Sequence, residues 1–214
     1  MIVNDRMLIM TFEAFAKSYG FKNRKKLFWY SYSDGLLRVI GFHKKSFKYE
    51  TLYFIQPLYD YNECFVLDYG DVLTRRYSSD AINLSLYMDS SEGIIMSNIV
   101  NNMRCLEKEI IPTLNMIDGF DDIMSAINKG FFFCGKSNIL RLKAYSSLYA
   151  KNYFEATNLF EEYIWYEKNK GYCFETRIDQ PSVLLKYLHS CPSETQQILQ
   201  SNIARSIEKL KIYC

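Results

Sequence analysis

Lys26-Leu27-Phe28-Trp29-Tyr30-Ser31-Tyr32, then Ser33-Asp34-Gly35, then Leu36-Leu37-Arg38-Val39-Ile40-Gly41-Phe42 is the stretch that decides the fold. Two aromatic and β-branched runs flank an Asp-Gly pair, and such a pair reaches the positive φ angles of a tight hairpin turn at low cost. Residues 26–32 and 36–42 therefore read as two strands. Outward from them, Tyr49 to Gln56 predict a third strand, rich in Tyr, Phe and Ile, with Pro57 marking its end. Cys64 to Leu67 predict a short fourth. Ile82, Leu84, Leu86 and Met88 alternate with Asn83, Ser85 and Tyr87, the period of a half-buried fifth strand. Four to five strands in succession, with no helix between them, imply an antiparallel β-meander.

Helical periods lie on both sides. Leu8, Phe12, Phe15 and Tyr19 form one stripe, with Asp5 and Thr11 as candidate caps and Gly20 as a left-handed stop. After Ser90, Ile95, Ile99, Met103, Leu106 and Ile110 form another, and Pro112 is expected to kink or stop it. Asp118 is a candidate cap for a helix carrying Ile123, Met124 and Ile127, closed near Gly130. Ser137 is a candidate cap for a helix that turns Leu140, Ala144 and Leu148 inward. Asn152 and Tyr153 connect it tightly to a helix with Ala156, Leu159, Phe160, Tyr163 and Ile164 on its apolar face. This pair looks like one tetratricopeptide-type hairpin, but one copy is not an array. A linker is expected around Lys170-Gly171. Pro181 is expected to open a helix at its first turn, and Ser193 with Gln196 to form a capping box for a last helix with Ile203, Ile207 and Leu210. The fold class is α+β: an N-terminal helix, an antiparallel meander and a helical C-terminal half packed on it. The expected division is an α+β domain over 1–130 and a helical extension over 131–214, packed as one unit.

At 214 residues, 49% apolar and 23% charged, with only 9 Gly and 4 Pro, the chain can bury its own core, and disorder is excluded. Net charge is +5 over residues 1–60, −6 over 61–130 and +3 over 131–214. That overall balance is too neutral for a typical polyanion binder. Cys64, Cys105, Cys134, Cys173, Cys191 and Cys214 are widely spread and include no C-x-x-C pair, and only Cys191 has a histidine near it in sequence, so they read as free thiols without a metal. No apolar run approaches the ~18 residues of a membrane span, and Asp5 and Arg6 interrupt any secretory core. A cytoplasmic protein with no membrane partner is expected.

The sharpest formal motif is Gly130-Phe131-Phe132-Phe133-Cys134-Gly135-Lys136-Ser137, which fits G-x-x-x-x-G-K-S. A phosphate-binding loop needs a strand before it, whereas Asp121 to Lys129 read as a helix and three Phe line a polyanion poorly. The match is therefore taken as coincidental. His43 and His189 lie far apart in sequence, and no nucleophile with an orienting acid is placed beside either. No enzyme, cofactor or metal is expected. Lys22, Arg24, Lys25 and Lys26 precede the hairpin and Lys44, Lys45 and Lys48 follow it, with Phe28, Trp29, Tyr30 and Tyr32 between. Lys25, Lys26, Trp29, Lys44 and Lys45 would form a nucleic-acid platform if the aromatics were exposed. If the aromatics face the core, the lysines protect a sheet edge.

Ala14 to Asp60 resemble an uncharacterised bacterial family, the domain of unknown function numbered 4304. The resemblance rests on Tyr19-Gly20-Phe21-Lys22, on Leu27-Phe28-Trp29-Tyr30, and on Asp34-Gly35-Leu36-Leu37-Arg38-Val39-Ile40-Gly41-Phe42-His43-Lys44-Lys45-Ser46 with the aromatic strand to Leu58. The helices to about residue 129 are similar in order, so it covers the first three-fifths of the chain. The family often carries Gln where His43 stands here. The resemblance implies an α+β fold and no established activity. Small bacterial domains of this appearance can occur near toxin genes, an analogy of context that suggests immunity. The leading expectation is thus a non-catalytic protein-binding module, a bacterial immunity protein that masks the active site of a cognate toxin. Glu63, Asp68, Asp71, Asp80, Asp89 and Glu92 are the carboxylates that would enter a basic cleft of a nuclease toxin. The alternative is a nucleic-acid-associated module using the basic hairpin.

Overall fold

Asp34 and Gly35 adopt φ of +47° and +77°, with Ser33 and Leu36 directly opposite, so the decisive hairpin closes through a two-residue turn of the expected hand. The structure is a computed structural model describing residues 4–61, 64–78, 83–170 and 175–212. The element order is α1 (Asp5–Ser18), β1 (Asn23–Lys25), β2 (Phe28–Ser33), β3 (Leu36–Lys44), β4 (Lys48–Pro57), β5 (Tyr69–Val72), α2 (Leu73–Arg76) and β6 (Leu86–Tyr87). Then follow α3 (Glu92–Cys105), a π turn (Leu106–Ile110), α4 (Ile111–Asn115), α5 (Phe120–Asn128), α6 (Lys136–Tyr149) and α7 (Tyr153–Asn169). The chain ends in α8 (Glu175–Ser190), a 3-10 turn (Pro192–Glu194) and α9 (Thr195–Leu210). Two compact units result: Met1–Gln56 with Leu67–Asp118, and Pro57–Val66 with Gly119–Cys214.

The first unit holds an antiparallel sheet in the order β1-β2-β3-β4-β5, and β6 also pairs with β4. Lys26 does not begin a strand. It sits at φ +55° in the turn between β1 and β2, while the Leu27 carbonyl accepts the Phe42 amide at 3.0 Å. That close approach explains Gly41, which faces Phe28 across the ladder: a Cβ there would stand 2.3 Å from the Leu27 oxygen and 2.8 Å from the Phe28 Cα. Gly70 stands opposite Phe54 under the same constraint, with 2.4 Å to the Phe54 Cβ. The Phe28 and Phe54 rings meet edge to face at 6.4 Å.

The fourth strand is Tyr69–Val72 rather than Cys64 to Leu67, because the ladder with β4 starts only where Tyr69 meets Ile55. Of the predicted fifth strand, Leu86 and Tyr87 pair with Tyr49 and Lys48, and Ile82 lies outside the described residues. The carbonyls of Leu84 and Ser85 are taken instead by Asn102 and Asn98 of α3, at 3.0 and 2.7 Å. Side-chain amides replace the ladder there.

Pro112 does not stop its helix. The turn before it widens to i→i+5 bonding, with the Ile111 amide on the Leu106 carbonyl, and the helix runs on to Asn115. The wide turn makes room for the proline ring, which would crowd the carbonyl four residues back in a regular helix. Asn4, not Asp5 or Thr11, caps α1, its side chain accepting the Met7 amide at 3.0 Å. Gly20, at φ +90°, ends that helix as expected.

In the second unit, Asp118 does not cap α5; Gly119 holds that position without a side-chain bond. Gly135, not Ser137, precedes α6, and the Ser137 hydroxyl goes to Glu167. The Ser193–Gln196 box does not form, because the Gln196 amide reaches the Leu148 carbonyl at the end of α6 at 2.7 Å. Asn152 caps α7 as the tight connection requires. Pro181 lies inside α8 rather than at its start. The Arg177 carbonyl, which a residue-181 amide would have satisfied, accepts the Tyr163 hydroxyl at 3.1 Å. Tyr163 is fully buried, and burial pushes its hydroxyl pKa up to about 12, so it remains a donor throughout the neutral range.

Two outcomes follow for stability. Gly41→Ala forces a methyl group against backbone and is expected to cost roughly 1–3 kcal/mol, measured by urea unfolding. Tyr163→Phe removes the hydroxyl that donates to the Arg177 carbonyl and is expected to cost about 1–2 kcal/mol. A Tyr163→Phe protein as stable as the parent would mean that the proline in α8 needs no compensation.

Candidate functional site

On β3, residues 38 and 42 share one sheet face, since side chains alternate. Phe42 packs against Phe12 of α1 at 4.9 Å, and Arg38 bonds the Leu114 carbonyl of α4 at 2.9 Å. Both helical rods therefore lie on that face. They also run side by side: Met7 and Met96 line one hollow near their starts, and the Tyr19 hydroxyl meets Glu107 farther along. Helices laid on one sheet leave a groove wherever their facing residues do not fill it. Here the groove measures about 370 Å³ and is lined by Asn4, Arg6, Met7, Met10, Thr11, Glu92 and Met96. Met10 is 72% exposed, and Val100, one turn beyond Met96, is exposed as well. Beside the start of α3, Phe47 and Tyr87 stack face to face at 6.0 Å on the surface. Thioethers repack around varied apolar side chains, and clustered exposed apolar groups mark interaction surfaces. Arg6 and Glu92 give the groove one charge of each sign.

Four of the six acidic residues fall among the described residues, and they do not form one exposed acidic face. Glu63 and Asp80 lie outside the described residues. Asp71 is buried and spent internally, accepting the Val72 amide and the Arg75 guanidinium, each at 2.6 Å. Asp68 is half-buried. Asp89 and Glu92 are exposed at the start of α3, where the helix N-terminus favours carboxylates and where Glu92 reaches the groove.

The basic platform is corrected more sharply. Trp29 is 0% exposed, its ring held between Phe12 at 4.9 Å and Phe42 at 6.2 Å, so no base can stack on it. Lys45 is paired with Glu50 at 2.6 Å, and Lys25 is half-buried on β1. Lys26 and Lys44 remain exposed. The Gly130–Ser137 stretch follows a helix instead of a strand: Gly130, at φ +70°, closes α5, and Phe131 and Phe132 are buried. His43 is exposed and His189 lies 3.4 Å from Glu161. Among the described residues, no three His, Cys, Asp or Glu gather as a metal site, and no helix is long and apolar enough to cross a membrane. Cys64, Cys105, Cys134 and Cys191 are not in disulfides; Cys173 and Cys214 lie outside the described residues.

Glu50 and Glu167 are buried carboxylates and Glu109 is half-buried, so all three compare with catalytic acids. Burial alone would raise the pKa values of Glu50, Glu109 and Glu167, as a general acid requires. Hydrogen bonds outweigh it in each, from Lys45 and Lys48, from Arg76 and Tyr77, and from Lys170 and Ser137. All three pKa values are lowered, the signature of structural ion pairs. The methionine groove was missed by sequence reading, though Met7 and Met10 already stood off the Leu8–Phe12 stripe.

Comparison with protein-family models, curated proteins and solved structures finds no match to the chain.

Because these folded-state pKa values lie below the ordinary 4.5, their stabilisation is complete above about pH 4.5 and is lost as pH falls through the folded values. Stability is expected to drop below that pH. Glu167→Gln removes one contribution and makes the drop shallower, as checked by urea midpoints from pH 3 to 7.

Proposed function

We propose that the chain is a non-catalytic protein-binding module that holds a segment of another protein in the groove between α1 and α3. The observation that carries this reading is Met10, 72% exposed on a groove whose walls also include Met7 and Met96. Leaving three thioethers around an open groove makes sense when a partner covers them. The partner segment this groove suits has large apolar side chains, with a carboxylate toward Arg6 and a cation toward Glu92. As the partner class we propose a protein toxin whose active site is masked in the complex. Asp89 and Glu92 are the carboxylates of the acidic set placed to draw a basic toxin toward the groove.

The test is capture from nuclease-treated source lysate with three baits: the parent, Met10→Glu/Met96→Glu, and Trp165→Ala. Trp165 is 65% exposed on α7 and controls for generic apolar stickiness. A stoichiometric protein is expected on the parent and on Trp165→Ala, and its affinity is expected to fall about thirtyfold or more with the methionine variant. Adding the parent chain is expected to inhibit that protein's activity. Equal capture by all three baits would overturn the groove. Material removed by nuclease and by high salt would favour a nucleic-acid role instead.

A further inference from the structure

The opposite flank of α1 borders a second cleft, of about 580 Å³. Asp5 and Ile9 of α1, Lys26, Leu27 and Phe28 of the β1–β2 turn, and Phe42, His43 and Lys44 of β3 line it. Ile9, Leu27, Phe28 and Phe42 supply an apolar wall. Lys26, His43 and Lys44 are exposed around it, and among the described residues none of the three is ion-paired. Their neighbours are spent: Lys45 and Lys48 on Glu50, Lys17 and Arg24 on Glu13. Asp5 is the one carboxylate in the lining, and it accepts the Tyr49 hydroxyl at 2.7 Å. With Asp5 set against Lys26 and Lys44, the lining carries +1 before any charge on His43.

The cationic groups sit on a braced backbone. The Lys26 carbonyl accepts Arg24 Nη1 at 2.7 Å, the Leu27 carbonyl accepts the Phe42 amide, and Lys44 Nζ lies 5.7 Å from the centre of the Tyr49 ring. In the sequence, Lys26 and Lys44 flank the hairpin and His43 follows its second strand. The fold brings all three to one rim. A basic rim over an apolar wall, within the size range of small-molecule pockets, suits a ligand with two unlike ends.

We propose that this cleft binds a small organic anion, its charged head on Lys26, His43 and Lys44 and a ring-sized apolar body against Ile9, Phe28 and Phe42. The proposal is independent of the methionine groove. Phosphate and carboxylate heads share the required chemistry, and the test separates them.

The chain has only two histidines, so the imidazole proton NMR signals of His43 report the cleft while those of His189 serve as an internal control. The full chain is titrated at constant pH and ionic strength with phenyl phosphate, benzoate and inorganic phosphate. A saturable shift of His43 is expected with phenyl phosphate or benzoate while His189 stays fixed, and the tighter of the two identifies the head group. Lys26→Gln/Lys44→Gln is expected to weaken that binding roughly tenfold, with unchanged His189 signals showing that the variant is folded. Unsaturable drift of both histidines, binding undiminished in the double variant, or inorganic phosphate binding as tightly as the tighter aromatic anion would overturn the proposal.

Discussion

A guanidinium has five N–H donors and keeps its charge at any ordinary pH, so burying one commits the surrounding structure to supplying acceptors. Arg38 imposes that demand from β3, between β2 and β4, with almost no exposure. Its donors go to the carbonyls of Leu114 and Ile117, the Ser33 hydroxyl and the Asp118 carboxylate. Two of these acceptors lie at the end of the helical rod that begins with α3, where orphan carbonyls carry partial negative charge. Sheet and rod therefore satisfy each other. Removing the arginine alone would take a donor from both carbonyls, leaving Leu114 only its backbone amide partners, and losing the acceptors would strand a buried charge.

Where the sequence was legible, the deciding chemistry was local. Asp34-Gly35 carries its own turn, Gly20 and Gly130 end their helices, and Asn152 caps the helix it begins. The apolar stripes of α1, α6 and α7 are likewise periodic enough to read. Misreadings fall where a distant polar side chain replaces the local rule. Asp118 leaves its cap for Arg38, Gln196 leaves its box for the Leu148 carbonyl, and Asn98 and Asn102 stand in for a missing strand. No one-dimensional period carries that information.

The site followed the same division. Lys26 and Lys44 were visible as cations, but the exposure of Trp29 depended on whether something covered both sheet faces there. Trp29 and Tyr30 are consecutive, point to opposite faces and are both buried, so both faces are covered at that point. The methionine groove was harder to foresee because it belongs to no single segment. It exists because α1 and the rod starting at α3 rest on one face of the sheet with small clearance. Leu8, Phe12 and Ala16 anchor α1 below, so its two flanks are held without being filled.

The bond from Tyr163 to the Arg177 carbonyl also ties the integrity of α8 to α7. A chain segment with proline at position 181 cannot close its own backbone ladder, so helix nucleation there lacks one of the bonds that make propagation favourable. A hydroxyl from α7 donates to the Arg177 carbonyl in its place. Residues 175–190 thus form a helix whose backbone ladder is completed partly by a side chain of its neighbour, so the two helices share one stabilising interaction.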